Sequence, residues 1–331
     1  MTGGTSERDL LAALRRLRRR LTTWRVLAVL AIVLALGALL WREAPPIRGE
    51  HIARVRITGL ITGNQRLLDL LDRVAKDEKV RALIVRIDSP GGTVTGAEAL
   101  YEAIRRVAEK KPVVTVVDSV AASGGYIAAM AGDRIITRRN SITGSIGVIF
   151  QWAELHELLS RFGVKMQALR TGPYKARPNP FEPLDPQVRQ VTEALLDDSF
   201  DWFVGLVATR RNLSKEQARR LADGRVWTGH QALNLKLVDA LGDERTARVW
   251  LEKEKGIPKD LEIIERKPKR LTEELGLGLR LLVAALEGLG LEEQARALAA
   301  PVQQLHLQGL MLDGLLALWH PRLAQDARGS R

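Results

Sequence analysis

The order of hydrophobic patterns along the chain predicts an α/β protein with a largely parallel sheet. Short apolar or β-branched runs typical of strands alternate with stretches whose apolar residues recur every three or four positions, as in amphipathic helices. Strands joined by helical crossovers pair in parallel, which defines the class. The expected strands are Ala53–Ile57, Ala82–Ile87, Val113–Val117, Arg134–Thr137 and Val164–Leu169, and the helical patterns between them are Gln65–Lys76, Gly96–Ala108 and Ala153–Arg161.

A longer amphipathic helix is predicted over Val188–Arg211. Asp185 precedes it as an N-cap, and Pro186 suits the first helical position because a backbone N–H would be unpaired there. A short capped helix after Ser214 and a further helix from Thr246 continue the pattern. We interpret them as the closing section of the same domain.

Residues 26–42 are predicted to form a transmembrane anchor. Val26 to Trp41 is free of charge, and together with the preceding apolar residues it nearly matches a hydrocarbon core of about 30 Å. The arginines precede this run, so the positive-inside rule places residues 1–25 in the cytoplasm and the rest of the chain outside. A cleavable secretory signal is the competing interpretation, but residues 39–44 contain no small-x-small cleavage site. A buried core helix fits less well, because this run is apolar on every face.

Composition excludes several classes of function. The net charge is +12, but residues 1–25 hold seven arginines against two acidic residues. Such an excess of positive charge is expected on the cytoplasmic side of a membrane anchor. No stretch interleaves basic and aromatic residues, so nucleic-acid binding is not expected. The chain has no cysteine, which excludes disulfides, thiolate catalysis and zinc–thiolate sites. The five histidines show no metal-type spacing, and no cofactor is expected.

Two glycine-rich turns follow strands that are expected to be neighbours. Asp88-Ser89-Pro90-Gly91-Gly92 comes after one apolar strand, and Ser123-Gly124-Gly125 comes after the next. The carboxyl ends of parallel strands meet at one edge of a sheet, so both turns can face one carbonyl group. A Pro-Gly-Gly sequence on its own is common in ordinary turns between a strand and a helix. As one of a pair, it predicts that the Gly91 N–H contributes to an oxyanion hole.

Ser123 is the candidate nucleophile. Small neighbours on both sides let a substrate carbonyl approach its hydroxyl closely. The chain lacks a Gly-x-Ser-x-Gly pattern, which disfavours an α/β-hydrolase, and no histidine has local support as the base. Lys175, in a loop rich in proline, is the remaining candidate base, and the alternative is that it is one of many surface lysines. A lysine exposed to water is protonated at neutral pH, so this role requires burial or a neighbouring cation.

Four motifs, in the same order along the chain, resemble the bacterial signal peptide peptidase A family. The resemblance runs from about Arg54 to Leu251. The motifs are Asp-Ser-Pro-Gly-Gly, Ala-Ala-Ser-Gly-Gly-Tyr, Ile-Thr-Gly-Ser-Ile-Gly at 142–147, and Tyr-Lys-Ala at 174–176.

This resemblance implies a ClpP/crotonase-like fold and a Ser/Lys endopeptidase that needs no metal or cofactor. Ser123 would be the nucleophile and Lys175 the general base. The N–H groups of Gly91 and Gly124 would form the oxyanion hole, and Ser145 would orient the lysine. The implied substrates are remnant signal peptides and other unfolded peptides, cleaved through an acyl-enzyme.

The resemblance also bears on assembly and domain limits. One set of motifs matches the short form of the family, which implies a homo-oligomeric ring such as an octamer, with serine and lysine drawn from neighbouring subunits. Residues 176–181 resemble the long form more closely. The predicted organisation is a cytoplasmic segment at 1–25, the anchor at 26–42, a linker at 43–52, an extracytoplasmic catalytic domain at 53–262, and a helical tail at 263–331. The Leu-rich tail is expected at an oligomer interface, with a membrane surface or its own domain as alternatives.

Three other functions compete with this interpretation. A crotonase-type enzyme acting on acyl-CoA would share the paired turns, but it would need neither an anchor nor the Ser123 and Lys175 pair. A related membrane protease that clips a stomatin-type partner shares the early motifs. A non-catalytic membrane scaffold would tolerate alanine at both positions.

Overall fold

The computed structural model describes residues 20–21, 23–24, 49–268 and 316–318. Within them, a mixed α/β domain is built on an eight-stranded sheet whose main strand order is β7-β6-β4-β2-β1-β9, with β5 joining β4 to β8. All pairings in this sheet are parallel except β6 with β7. The strands are β1 (His51–Thr58), β2 (Val80–Ser89), β3 (Gly91–Thr93), β4 (Val113–Ala122), β5 (Arg134–Thr137), β6 (Ile142–Gly144), β7 (Val226–Thr228), β8 (Ala240–Leu241), β9 (Glu262–Glu265) and β10 (Leu316–Leu318).

Helices cover both faces of the sheet. Along β2, Leu83, Val85 and Ile87 pack into one apolar cluster, whereas Ala82 and Ile84 pack into another on the opposite face, as the two-residue period of a strand requires. The helices are α1 (Gln65–Lys76), α2 (Val94–Ala108), α3 (Gly124–Ala129), α4 (His156–Arg161), α5 (Pro186–Arg211), α6 (Lys215–Leu221), α7 (Gly229–Asn234) and α8 (Glu244–Lys255).

Most of the predicted elements are confirmed. Four of the expected strands lie within β1, β2, β4 and β5, and α1 has the predicted bounds. The Asp185 side chain accepts hydrogen bonds from the Gln187 and Val188 N–H groups, with Pro186 in the first turn of α5. The mixed α/β class and the largely parallel sheet are therefore correct.

The strand predicted at Val164–Leu169 is wrong. These residues have no strand partner among those described, and Leu169 is fully exposed. β-Branched residues favour a strand only where a sheet edge is available, and this segment lies outside the sheet.

The prediction of a helical tail from 263 is wrong where the structure describes it. Ile263, Ile264 and Glu265 belong to β9, which pairs in parallel with β1 because the edge of that strand is open to it. Leu316–Leu318 form β10, which pairs with β3. The described helices include none with the length and apolar content of a bilayer span. The anchor predicted at 26–42 lies outside the described residues.

Candidate active site

Ser123 occupies a strained turn between β4 and α3. Its backbone torsions are φ 55° and ψ −117°, a region that side chains other than glycine rarely adopt. The Ser123 N–H donates to the Gly144 carbonyl at 2.8 Å, and its carbonyl accepts from the Tyr126 and Ile127 N–H groups. Ser123 is buried, and every residue of α3 is buried too. Strain of about 1–3 kcal/mol persists only where the surroundings hold it, and it is common at functional sites.

The first glycine-rich turn is held by the Ser89 hydroxyl. Ser89 Oγ donates to the Gly59 carbonyl at 2.6 Å and accepts from the Gly91 N–H at 3.2 Å. Gly91 has a φ of 112°, which favours glycine. Because the Gly91 N–H already has an acceptor, it can stabilise an oxyanion only by sharing or releasing this bond.

Gly124 is placed differently. It is the first residue of α3, and the first amides of a helix have no intrahelical carbonyl to bind. Its position next to the strained Ser123 gives the turn a backbone donor on the nucleophile side.

The two turns touch each other directly. A Cβ built on Gly125 would lie 2.6 Å from the Ser89 carbonyl oxygen, so only glycine fits there. The Val120 N–H also donates to Asp88 Oδ1 at 3.1 Å, which joins β4 to the end of β2. The sequence predicted that the two turns share one edge of the sheet. It did not predict that Asp88 and Gly125 make the contacts between them, because contacts between separate strands leave no local pattern in the sequence.

Ser145 lies beside the Ser123 turn. It is buried, its φ is 50°, and its N–H donates to the Arg225 carbonyl at 2.8 Å. The preceding Gly144 is the residue whose carbonyl accepts from Ser123. Ser123 and Ser145 are therefore linked through one carbonyl group. A cavity of about 530 Å³ opens next to Ser145, lined also by Ile149, Leu196 and Phe200.

Lys175 is exposed and makes no hydrogen bond or ion pair with Ser123 or Ser145 among the described residues. The loop that carries Lys175 is stabilised by ion pairs. Glu182 pairs with Arg170 and, at 3.1 Å, with Arg177. The hydrogen bond from Arg170 lowers the pKa of the Glu182 carboxyl. The structure thus brings the serines and the glycine turns together, and among the described residues it shows no hydrogen bond or ion pair between them and Lys175.

Large apolar side chains are exposed between residues 149 and 195, in the segment before α5 and on α5 itself. Phe162 is 77% exposed. The other exposed large apolar side chains in this stretch are Ile149, Leu155, Leu158, Val164, Met166, Leu169, Tyr174, Phe181, Val191 and Leu195. Among the residues that the structure describes, no group of histidine and acidic side chains could hold a metal ion.

Comparison with known proteins decides the family. Residues 105–258 match the model of peptidase family S49. A Synechocystis protein whose name describes a protease is 39% identical over 251 residues, covering 75% of this chain and 90% of its own length. The chain belongs to peptidase family S49. It is a serine peptidase, and its resemblance to the signal peptide peptidase A family is confirmed.

Two further relatives of this S49 peptidase are longer proteins. "Protease 4" of Haemophilus influenzae is 29% identical over 60% of this chain and 34% of its own length. "Serine protease SPPA, chloroplastic" of Arabidopsis thaliana is 31% identical over 59% of this chain and 29% of its own. A solved ClpP1 mutant from Listeria monocytogenes superposes with a TM-score of 0.40 and 17% identity, over 58% of this chain and 92% of its own.

Proposed function

We propose that this serine peptidase is a Ser/Lys endopeptidase with Ser123 as nucleophile and Lys175 as general base. The observation that carries the proposal is the strained, buried turn at Ser123, packed directly against a second glycine-rich turn. A nucleophile held at a sharp strand-to-helix turn presents its hydroxyl beside the first amides of the helix, where an oxyanion can be stabilised.

The proposed reaction proceeds through an acyl-enzyme. Ser123 Oγ attacks the scissile carbonyl while the neutral Lys175 amine takes the hydroxyl proton, and the oxyanion accepts hydrogen bonds from the Gly124 and Gly91 N–H groups. The tetrahedral intermediate collapses, the C–N bond breaks, and the Lys175 ammonium returns the proton to the leaving amine. Lys175 then takes a proton from a water molecule whose oxygen attacks the ester carbonyl; when the ester C–O bond breaks, the Lys175 ammonium returns that proton to Ser123 Oγ and the carboxylic acid product leaves. Ser145 would orient the lysine through its hydroxyl.

We propose that the site is completed by a second copy of the chain in a homo-oligomeric ring of ClpP/crotonase-like subunits. Two observations support this. Lys175 makes no hydrogen bond or ion pair with Ser123 among the described residues, and eleven large apolar side chains between residues 149 and 195 are exposed. Covering these side chains with a neighbouring subunit would exclude water from the lysine, and desolvation favours a neutral amine.

We propose a location at the cell membrane, with the catalytic domain outside the cytoplasm. The support is the charge-free run at 26–41 and the arginines that precede it. Substrates would then be remnant signal peptides and other unfolded peptides. The competing candidate is a membrane protease that clips a stomatin-type partner. Its substrate would be an exposed segment of one folded protein.

Hydrolysis of a quenched fluorescent signal-sequence peptide by the full-length protein in detergent tests the dyad. Ser123→Ala and Lys175→Ala should each abolish turnover, whereas the control Lys165→Ala, an exposed lysine on the same segment, should leave it unchanged. Full activity in either site variant would refute the proposal.

A further inference from the structure

The C-terminal end of α3 is bound by arginine side chains from two other helices. Arg210 of α5 donates through Nε to the Met130 carbonyl and through Nη2 to the Gly132 carbonyl, both at 2.8 Å. Arg105 of α2 donates to the Ala131 carbonyl at 2.9 Å. The last carbonyls of a helix lack intrahelical partners, and basic side chains commonly bind them. Three successive carbonyl groups are thus satisfied by two guanidinium groups.

α3 depends on such contacts because it is short. It has six residues and begins directly after Ser123. A helix of this length is not stable by itself, so the rest of the domain determines its position. At 1.5 Å per residue, α3 is only about 9 Å long, and a shift at its C-terminal end therefore reaches Ser123 and the Gly124 N–H at the other end.

Arg210 differs from the basic residues beside it. Arg105 pairs with Asp133 at 3.2 Å, and Arg211 pairs with Asp239 at 2.6 Å, whereas among the described residues no carboxylate pairs with Arg210. Burial lowers the pKa of the Arg210 guanidinium, and the nearby charge of Arg105 acts in the same direction. An apolar side chain of similar length would avoid both costs. The guanidinium of Arg210 therefore contributes through the two carbonyl groups that it binds.

We propose that Arg210 is a positioning residue of the peptidase reaction. Its two hydrogen bonds fix the C-terminal end of α3, and the helix in turn fixes Ser123 and the Gly124 N–H at its other end. This inference rests on the proposed function, in which these two groups attack the scissile carbonyl and stabilise the oxyanion. Because Arg210 lies at the opposite end of α3 from Ser123, its loss should reduce kcat and leave KM nearly unchanged.

Arg210→Met tests this role, because it keeps a long side chain and removes both hydrogen bonds. In the full-length protein in detergent, it should lower kcat for the fluorescent signal-sequence peptide about ten- to a hundredfold and change KM less than about twofold. Arg210→Lys keeps the charge but loses the planar pair of donors, so its kcat should lie between those of Arg210→Met and the wild type. A wild-type kcat in Arg210→Met would overturn the positioning role.

Lys111 provides the matched control, because it caps a helix that does not carry the nucleophile. Its ammonium donates to the Val74 carbonyl at 2.7 Å and to the Asp77 carbonyl, at the C-terminal end of α1. Lys111→Met should lower the thermal unfolding temperature, as Arg210→Met should, but it should keep the wild-type kcat. An equal loss of kcat in both variants would reveal a general effect of stability and would overturn the specific role of Arg210.

Hydrogen exchange separates this inference from the proposed function. In a Ser123→Ala background, Arg210→Met should accelerate exchange of the α3 amides at least about tenfold and leave the α1 amides unchanged, whereas Lys111→Met should do the reverse. Unchanged exchange in α3 would overturn the inference even if Ser123 is the nucleophile. Full turnover by Ser123→Ala would refute the proposed function, and faster exchange in α3 would then still support the contact between Arg210 and this helix.

Discussion

The alpha carbon of Gly125 lies against the carbonyl group of Ser89. A side chain at Gly125 would place its Cβ 2.6 Å from the Ser89 oxygen, closer than real contacts allow. Direct backbone contact therefore fixes the position of the turn that carries Ser123 relative to the turn that carries Gly91.

Gly125→Ala should separate the two turns and lower kcat/KM for peptide at least about a hundredfold, since misplacing catalytic groups by about 1 Å costs that much. Gly205→Ala is the matched control, because a Cβ on this helical glycine meets nothing within 4 Å. It should retain activity and gain up to about 1 kcal/mol in the free energy of unfolding. Wild-type turnover by Gly125→Ala would show that the contact between the turns is not required.

Asp88 should act as a positioning residue through the Val120 N–H. Asp88→Ala leaves that amide without its acceptor and should lower kcat more than it raises KM, with a loss of about 1–3 kcal/mol in the free energy of unfolding. Asp88→Asn keeps a carbonyl oxygen at the same place and should restore most of kcat. Steady-state kinetics and thermal unfolding of both variants test this, and an Asn variant as impaired as the Ala variant would contradict it.

The loop that carries Lys175 should loosen in acid. Arg170 lowers the pKa of Glu182, so the ion pairs stabilise the loop above the ordinary carboxyl pKa of about 4.3 and are lost as the pH falls through the lowered value. Limited proteolysis within residues 163–185 should therefore accelerate below about pH 4 in the wild type. Glu182→Gln should be cleaved faster already at pH 6, where it should differ most from the wild type. Equal cleavage of the two proteins at pH 6 would show that the ion pairs of Glu182 do not stabilise the loop.

The exposed apolar side chains around Phe162 should mediate assembly. Phe162→Glu would place a charge in the proposed interface, so it should shift the protein to monomers in analytical ultracentrifugation and abolish peptide hydrolysis. Phe162→Leu should preserve both. A monomeric wild type that hydrolyses peptide would contradict completion of the site by a neighbour.

Sequence patterns predicted the sheet because buried parallel strands carry apolar runs, as in Ala82–Val85. They also predicted that the turns at Ser89 and Ser123 share one edge. The strained turn at Ser123 was not predictable, since no Gly-x-Ser-x-Gly pattern marks it and the strain is held by Gly144 from another strand. The strand at Leu316–Leu318 was missed for a similar reason. Its partner is more than two hundred residues away, and a Leu-rich run with helical spacing gives no sign of an open β edge.

Subunit mixing tests the central claim, that Ser123 and Lys175 act together across neighbouring copies. Ser123→Ala and Lys175→Ala should each be inactive alone. Co-expressed in equal amounts, they should recover about a quarter of wild-type turnover, because random assembly joins an intact serine to an intact lysine at about one site in four. Inactive mixed oligomers, with mixing verified by two affinity tags, would contradict the shared site.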